Sequence, residues 1–551
     1  MLASGAPPRD GRAWMAASVI VAALALAPIA GLAGLALRGS GDLWPHLVAY
    51  VLPRAAIDTA TLLIGVGALT ASVGVGAAWL VSAYRFPGRA VFEWALLLPL
   101  AMPTYVAAFV YADMLHPIGP VQTALRALFG LGGPRDLRLP EIRSMGGCIL
   151  LLGFVLYPYV YLTARAVFAM QSAAALEVAR TLGASGTRMF FVVALPLARP
   201  AVALGVALAL MEALNDIGAA ELLGVRTMTV SIYTTWVNRS SVEGAAQIAL
   251  AMLALVLALV WIERAARRPV ASGGREGRRM AARTPGPFGQ ALCVAGCSAP
   301  VVIGFLAPAA WLASEAFARI ERFGLPRELG REILNTLAFA ALATLIAVML
   351  GFAIAYSARL RKSLGATAAL RSAGVGYAIP GTVLAVGLLT PLATFDNLVD
   401  GAAREALGVS TGLLLSGSGA ALVYAYVARF LAIPAGAAEA GFAKTPRGLE
   451  DAARSLGERP GGVARRVHLP LLAPALGAAA LLVFVDCMKE LPATLLLRPL
   501  NFETLATHVY GEAARGTYES GAVAALAIVL VGLIPVAVLA RASGRAAPRS
   551  L

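Results

Sequence analysis

Charge is what this sequence has least of. Of 551 residues, only 14% are Asp, Glu, Lys or Arg, and four are His. A water-soluble domain carries about a quarter of its residues as charges, so a soluble globular chain is excluded. Lysine is scarcer still. Lys362, Lys444 and Lys489 are the whole set, and none follows a glycine. A turn that cradles phosphates needs Gly-Lys-Ser/Thr, so the chain has no P-loop of its own. Cysteine is limited to Cys148, Cys293, Cys297 and Cys487, all in or beside apolar runs. Cys293 and Cys297 share a helix face, but no His or further Cys stands at zinc spacing. They read as small residues packed between helices, and no metal site is expected. Ten-residue segments of alternating polarity are absent, which excludes a transmembrane barrel.

Hydrophobic residues make up 59% of the chain, and the mean hydropathy is +0.78. They gather in runs of the roughly 20 residues that cross a bilayer as helix. Runs lie near 14–37, 57–84, 91–112, 146–168, 198–217 and 245–262, then near 289–312, 333–356, 373–392, 411–432, 474–497 and 518–540. The expected fold is an all-α polytopic membrane protein of about twelve spans. The first run is too long for the core of a signal peptide and is counted as a span. The net charge of +15 then has a topological reading. With the N-terminus in the cytoplasm, about 29 of the 45 Lys and Arg fall on the cytoplasmic side, as the positive-inside rule requires. Both termini are expected there, and no nucleic acid is needed to explain the basic excess.

The chain is a repeat. Glu177–Ala201 and Asp451–Ala475 are identical at ten of 25 positions, with Gly183 and Gly457, Pro196 and Pro470, and Pro200 and Pro474 all 274 apart. Pro103 and Pro380, and Tyr233 and Tyr510, are 277 apart. This divides the chain into a first half, 1–262, an Arg-rich cytoplasmic linker, 263–288, and a second half, 289–551. Six spans per half is even, so the repeats are parallel. Both loops, 171–197 and 436–472, are expected on the cytoplasmic side.

In each segment a short amphipathic helix is expected. Ala175, Val178, Ala179 and Leu182 form one apolar stripe, as do Leu449, Ala452, Ala453 and Leu456. Glu177 and Arg180, and Asp451 and Arg454, are spaced to interact along the helix. Gly183 and Gly457 should end it in the left-handed conformation, and Pro196 and Pro470 should open a new helix. Such a helix is made to lie in a groove on a partner or on lipid headgroups. Its duplication in register favours a two-fold symmetric partner.

These residues resemble the "EAA" loop of binding-protein-dependent ABC transporter permeases. The segments read Glu177-Val178-Ala179, Gly183, Leu195-Pro196 and Asp451-Ala452-Ala453, Gly457, Leu469-Pro470, departing by Val178 for Ala and Asp451 for Glu. The resemblance covers nearly the whole chain. It implies that Glu177, Ala179, Arg180, Gly183 and Pro196, with Asp451, Ala453, Arg454, Gly457 and Pro470, couple the membrane helices to a separate ATPase dimer. ATP and magnesium would be bound by that partner, and the chain would not itself be an enzyme. A periplasmic substrate-binding protein and a bacterial inner-membrane location are implied as well. Two fused halves, and the segment Met488–Ala513, resemble the ferric-iron type more closely than the thiamine, polyamine or phosphonate permeases. A secondary transporter of six-plus-six repeats is the other class; it would need a coupling-ion site and no docking loops.

Charges inside spans are costly and mark candidate sites. Glu212 and Asp216 are four apart, and Asp486 and Glu490 repeat them 274 residues on, with Lys489 added in the second half alone. They either line a path for a hard cation, which carboxylates suit, or satisfy helix ends and one another.

Overall fold

Apolar side chains let these segments enter hydrocarbon, but their backbone groups find no water there and must bond within the segment. The chain meets this demand with helices throughout. The computed structural model describes residues 9–133, 135–170, 185–266, 282–360 and 363–545. Of these 82% are helical, and no strand occurs among the described residues. Among the described residues, ten helices are long and apolar enough to cross a bilayer, or up to twelve if each of two bent pairs is one span.

Proline decides where the spans bend. The run at 91–112 is not one straight helix: Arg89–Ala101 and Thr104–Met114 meet at 89°. Pro103 stands at the break with φ −61° and ψ 141°, and proline pushes the residue before it out of helix. Its counterpart Pro380 has φ −56° and ψ 143°. The helix assigned to 373–392 therefore begins only at Gly381 and runs to Leu407. The run near 411–432 begins at Gly419 and bends by 40° between Phe430 and Ala432.

Elsewhere the helix passes through a proline by widening. The described residues contain four π-turns, Leu47–Val51, Phe190–Ala194, Val302–Leu306 and Ala464–His468. Each ends two residues before a proline: Pro53, Pro196, Pro308 or Pro470. A proline ring presses on the carbonyl four residues back, and that carbonyl lies inside the π-turn every time. Winding one extra residue into the turn relieves the clash. Pro196 and Pro470 consequently mark a change of winding inside a longer helix rather than its start.

In the second span of each half the repeat holds to the residue. Helices Leu52–Ala83 and Leu329–Leu360 are each 32 residues long. Thr59 accepts the N–H of Met228 at 2.9 Å, and Thr336 accepts that of Leu505 at 2.9 Å.

Packing divides the chain differently from the duplication. One unit comprises residues 1–47, 232–253 and 327–507; the other comprises 48–231, 254–326 and 508–551. Each half of the sequence thus contributes its first span to the unit built mainly from the other half. In the first unit, helix Arg9–Arg38 runs against Gly381–Leu407 and Leu329–Leu360. Val21 and Ala25 join Ile354, Ala369, Ala373, Leu431 and Ala435 in one core cluster. The crossing is a glycine contact: a Cβ on Gly31 would sit 2.2 Å from the carbonyl oxygen of Gly387, and one on Gly387 would sit 2.1 Å from that of Pro28. Between membrane helices, such close backbone approach supplies the packing. In the second unit, Ala307–Phe323 packs on Tyr518–Arg545, and the Trp311 indole donates to Asp113 at 3.0 Å.

Gly387→Val should push the two backbones apart and destabilise the purified protein by about 1–3 kcal/mol, read as a lower thermal midpoint in detergent. Gly34→Val, on the facing helix Arg9–Arg38 with open space around it, should stay within about 0.5 kcal/mol of wild type. Equal midpoints for the two variants would refute the assigned crossing.

Candidate functional site

The second duplicated loop is described in full. Pro446 (φ −61°, ψ 138°) caps helix Arg447–Ser455, since an extended proline suits the position just outside a helix. At the other end the Gly457 N–H bonds to the Arg454 carbonyl at 2.9 Å and the Glu458 N–H to the Ala453 carbonyl at 3.0 Å. That reciprocal pair is a Schellman stop, and Gly457 has the φ of +86° it needs. Of the apolar stripe only Ala453 is buried. Ala452 is exposed, Leu449 is 45% exposed and Leu456 is 85% exposed. The helix therefore turns most of its apolar face away from its own chain.

Its opposite side is anchored by ions. Glu450 is buried. The Arg359 Nε–H donates to its Oε1 at 2.8 Å, while the other two guanidinium nitrogens donate to the Phe442 and Thr445 carbonyls at 3.1 and 2.9 Å. His468 Nε2 lies 3.2 Å from the same carboxylate oxygen, and an Arg454 nitrogen lies 3.8 Å from the other. The Arg454 partner is thus Glu450, four residues before it, and not Asp451, which is exposed. The reason is facial: Glu450 points at the guanidinium of the neighbouring span, whereas Asp451 is turned about 100° further round the helix. His468 is wholly buried, 5.5 Å from the Tyr356 ring and 5.0 Å from the Phe442 ring. The Tyr356 hydroxyl donates to the Pro460 carbonyl at 2.7 Å.

In the first loop, Glu177, Ala179, Arg180 and Gly183 lie outside the described residues. Pro196 is described, half-buried, in the first turn of Leu195–Asn215, as the exposed Pro470 is in Leu469–Met488. The aromatic group beside the first loop consists of Trp79 with Phe168 at 5.4 Å and Phe190 at 5.1 Å.

The span-end charges are all engaged. Lys489 Nζ lies 2.9 Å from Asp486 Oδ1, both partly exposed. Glu490 is buried; its Oε1 accepts from Arg429 at 2.8 Å and from the Ala493 N–H at 2.9 Å. Its Oε2 accepts from the Thr494 N–H at 3.0 Å and hydroxyl at 2.7 Å. Asp216, buried likewise, accepts from the Ala219 N–H at 2.7 Å and from the Thr104 hydroxyl. Asp216 and Glu490 thus hold the first turns of Gly218–Leu222 and Pro492–Leu497 at matching positions. Glu212 is half-buried one turn before Asp216. A Cβ on Gly381, which corresponds to Thr104, would come within 2.6 Å of the Arg429 guanidinium. The glycine makes the room that the larger ion pair occupies.

Arg359, His468 and Arg429 were not singled out by sequence reading. Arg429 carried a signal, a lone cation in the apolar run Tyr424–Pro434, which calls for a buried partner. Arg359 and His468 carried none, because their counterparts in the first half are Ser82 and Ala194.

Residues 70–271 match the family described as "Binding-protein-dependent transport system inner membrane component". That stretch contains the whole of the first duplicated loop. The chain is 24% identical to the Fe(3+)-transport system permease protein FbpB 2 of Haemophilus influenzae, over 88% of both chains. It is 29% identical to the molybdenum transport system permease protein ModB of Escherichia coli, over 35% of this chain and 86% of that one. With the sulfate transport system permease protein CysW of Escherichia coli it shares 34% identity, over 29% of this chain and 52% of the relative. The ten to twelve candidate spans among the described residues agree with those matches, and over residues 70–271 the chain is similar to the binding-protein-dependent transport permeases.

Proposed function

We propose that the chain is the membrane subunit of an ATP-driven importer for ferric iron, delivered from outside by a binding protein. The observation that carries the docking part is helix Arg447–Ser455. It is fixed from behind by Glu450 and shows Leu449 and Leu456 to solvent. An apolar stripe on a helix stopped at both ends is a ready insert for a groove. The groove belongs to a separate ATPase subunit, which binds ATP and magnesium. Two such helices, one per half, call for two ATPase copies. On this reading both loops and both termini face the cytoplasm of a bacterial cell.

For the cargo, the support is extent of likeness. The ferric permease matches through both halves, whereas the molybdenum and sulfate permeases match about a third of the chain. Arg429 could have suited an oxyanion, but Glu490 neutralises it at 2.8 Å. ATP-driven closure would press the loops and switch the helices between two arrangements.

Leu456→Glu places a charge on the most exposed apolar residue of the helix. It should weaken capture of the ATPase by about tenfold or more, roughly 1.4 kcal/mol, in pull-downs from detergent, with the permease's thermal midpoint unchanged. Undiminished capture would remove the docking surface. Radiolabelled ferric iron uptake should stop when ATP is depleted and persist when the proton gradient alone is collapsed. The opposite pattern would establish a secondary transporter.

A further inference from the structure

The two halves carry different side chains at corresponding positions around the duplicated loops. Leu52–Ala83 and Leu329–Leu360 correspond at a spacing of 277, so Tyr356 answers to Trp79 and Arg359 to Ser82. Over the loops the spacing is 274; Glu450 answers to Leu176, Phe442 to Phe168 and His468 to Ala194. In the first half, Trp79 packs against Phe168 and Phe190. In the second, Tyr356 and Phe442 keep the ring pair at 5.9 Å. The third place goes to His468, and the Glu450–Arg359 pair is added at 2.8 Å.

Stability does not account for these ions. Replacing a buried ion pair by apolar side chains is often neutral or stabilising, and the first half has no ionisable residue at the positions of Glu450, Arg359 and His468. The difference is directional. Apolar contact lets surfaces slide, whereas charge-assisted bonds fix an angle. Arg359 spreads its three nitrogens over Glu450 and the Phe442 and Thr445 carbonyls. One guanidinium on the membrane span thus holds the preceding helix, the turn into the docking helix and the docking helix itself. Through His468 the carboxylate also meets the start of Leu469–Met488.

We propose that Glu450 is a positioning residue for energy coupling: it locks the second docking helix to spans Leu329–Leu360 and Leu469–Met488 as one lever. The first half carries Leu176, Ser82 and Ala194 at the corresponding positions, side chains that cannot form this Glu–Arg–His contact, so the two halves answer the ATPase unequally. This rests on reading the loop as the ATPase-docking element.

The test uses the full permease–ATPase complex, with nitroxides at Leu364→Cys and at Ser455→Cys, which lies off the apolar docking stripe. Both sites are exposed, and the four native cysteines are buried. Wild type should give one narrow interspin distance both without nucleotide and with Mg-ATP and vanadate. E450Q should broaden it. The triple variant R359S/E450L/H468A, which rewrites the junction with first-half residues, should broaden it too while keeping the thermal midpoint. In proteoliposomes with a binding protein loaded with radiolabelled ferric iron, both variants should move about tenfold less iron per ATP hydrolysed. A narrow distance and wild-type iron per ATP in the triple variant would overturn the lock. A wild-type chain that captures no ATPase would overturn the docking reading and this proposal with it. A wild-type complex that hydrolyses ATP but moves no iron overturns only the cargo, and the label distances still decide the lock.

Discussion

Hydrocarbon offers a backbone no hydrogen bonds, and every feature of this chain is shaped by that constraint. With 32 prolines, the helices repeatedly meet a residue that lacks the N–H they require. Two solutions recur. Where a segment stops, as at Pro103 and Pro380, the proline caps a new helix and the span breaks. Where it continues through Pro53, Pro196, Pro308 or Pro470, a π-turn absorbs the ring; Pro28, Pro158, Pro391 and Pro535 lie within α-helix without one. The second solution reaches the functional loop directly, because the π-turn before Pro470 ends on His468. The residue facing Glu450 is thus placed by the same device that lets the span run through a proline.

The spans and the duplicated loops were legible in the sequence, since both rest on what periodicity and repetition report. Run length gave the number of crossings, and the Gly457 stop followed from glycine's freedom to take φ of +86°. The break points were less legible. A proline in an apolar run can either kink or end a helix, and composition does not separate the cases. The exchange of first spans was invisible for a related reason: apolar helices carry no address, and only close approach at Gly31 and Gly387 says where Arg9–Arg38 belongs.

Glu450 shows a different limit. A repeat draws attention to positions that agree, and Asp451 stands where Glu177 stands. The neighbouring acid, opposite Leu176, drops out of any such comparison, yet it is the one buried against Arg359 and His468. Acids at the far end of the next helix were found because both halves carry them, but the partner Arg429 was not, because the first half uses Thr104 and Asp216 instead.

Duplication therefore fixed the backbone and left the side chains free to diverge, and the divergence is concentrated on one element. Helix Leu469–Met488 is preceded by His468, beside Glu450, and followed by Glu490, bonded to Arg429. Its counterpart Leu195–Asn215 begins after Ala194 and ends at an Asp216 held by Thr104 and a backbone amide. Ionisable pairs flank one helix, His468 with Glu450 and Glu490 with Arg429, where the other has an alanine at its start and a carboxylate without a basic partner among the contacts named at its end. A strut fixed at both ends transmits displacement along its length, while one seated in hydrocarbon at its base can tilt first. The inequality thus lies in the contacts at the helix ends, with the helices themselves nearly the same.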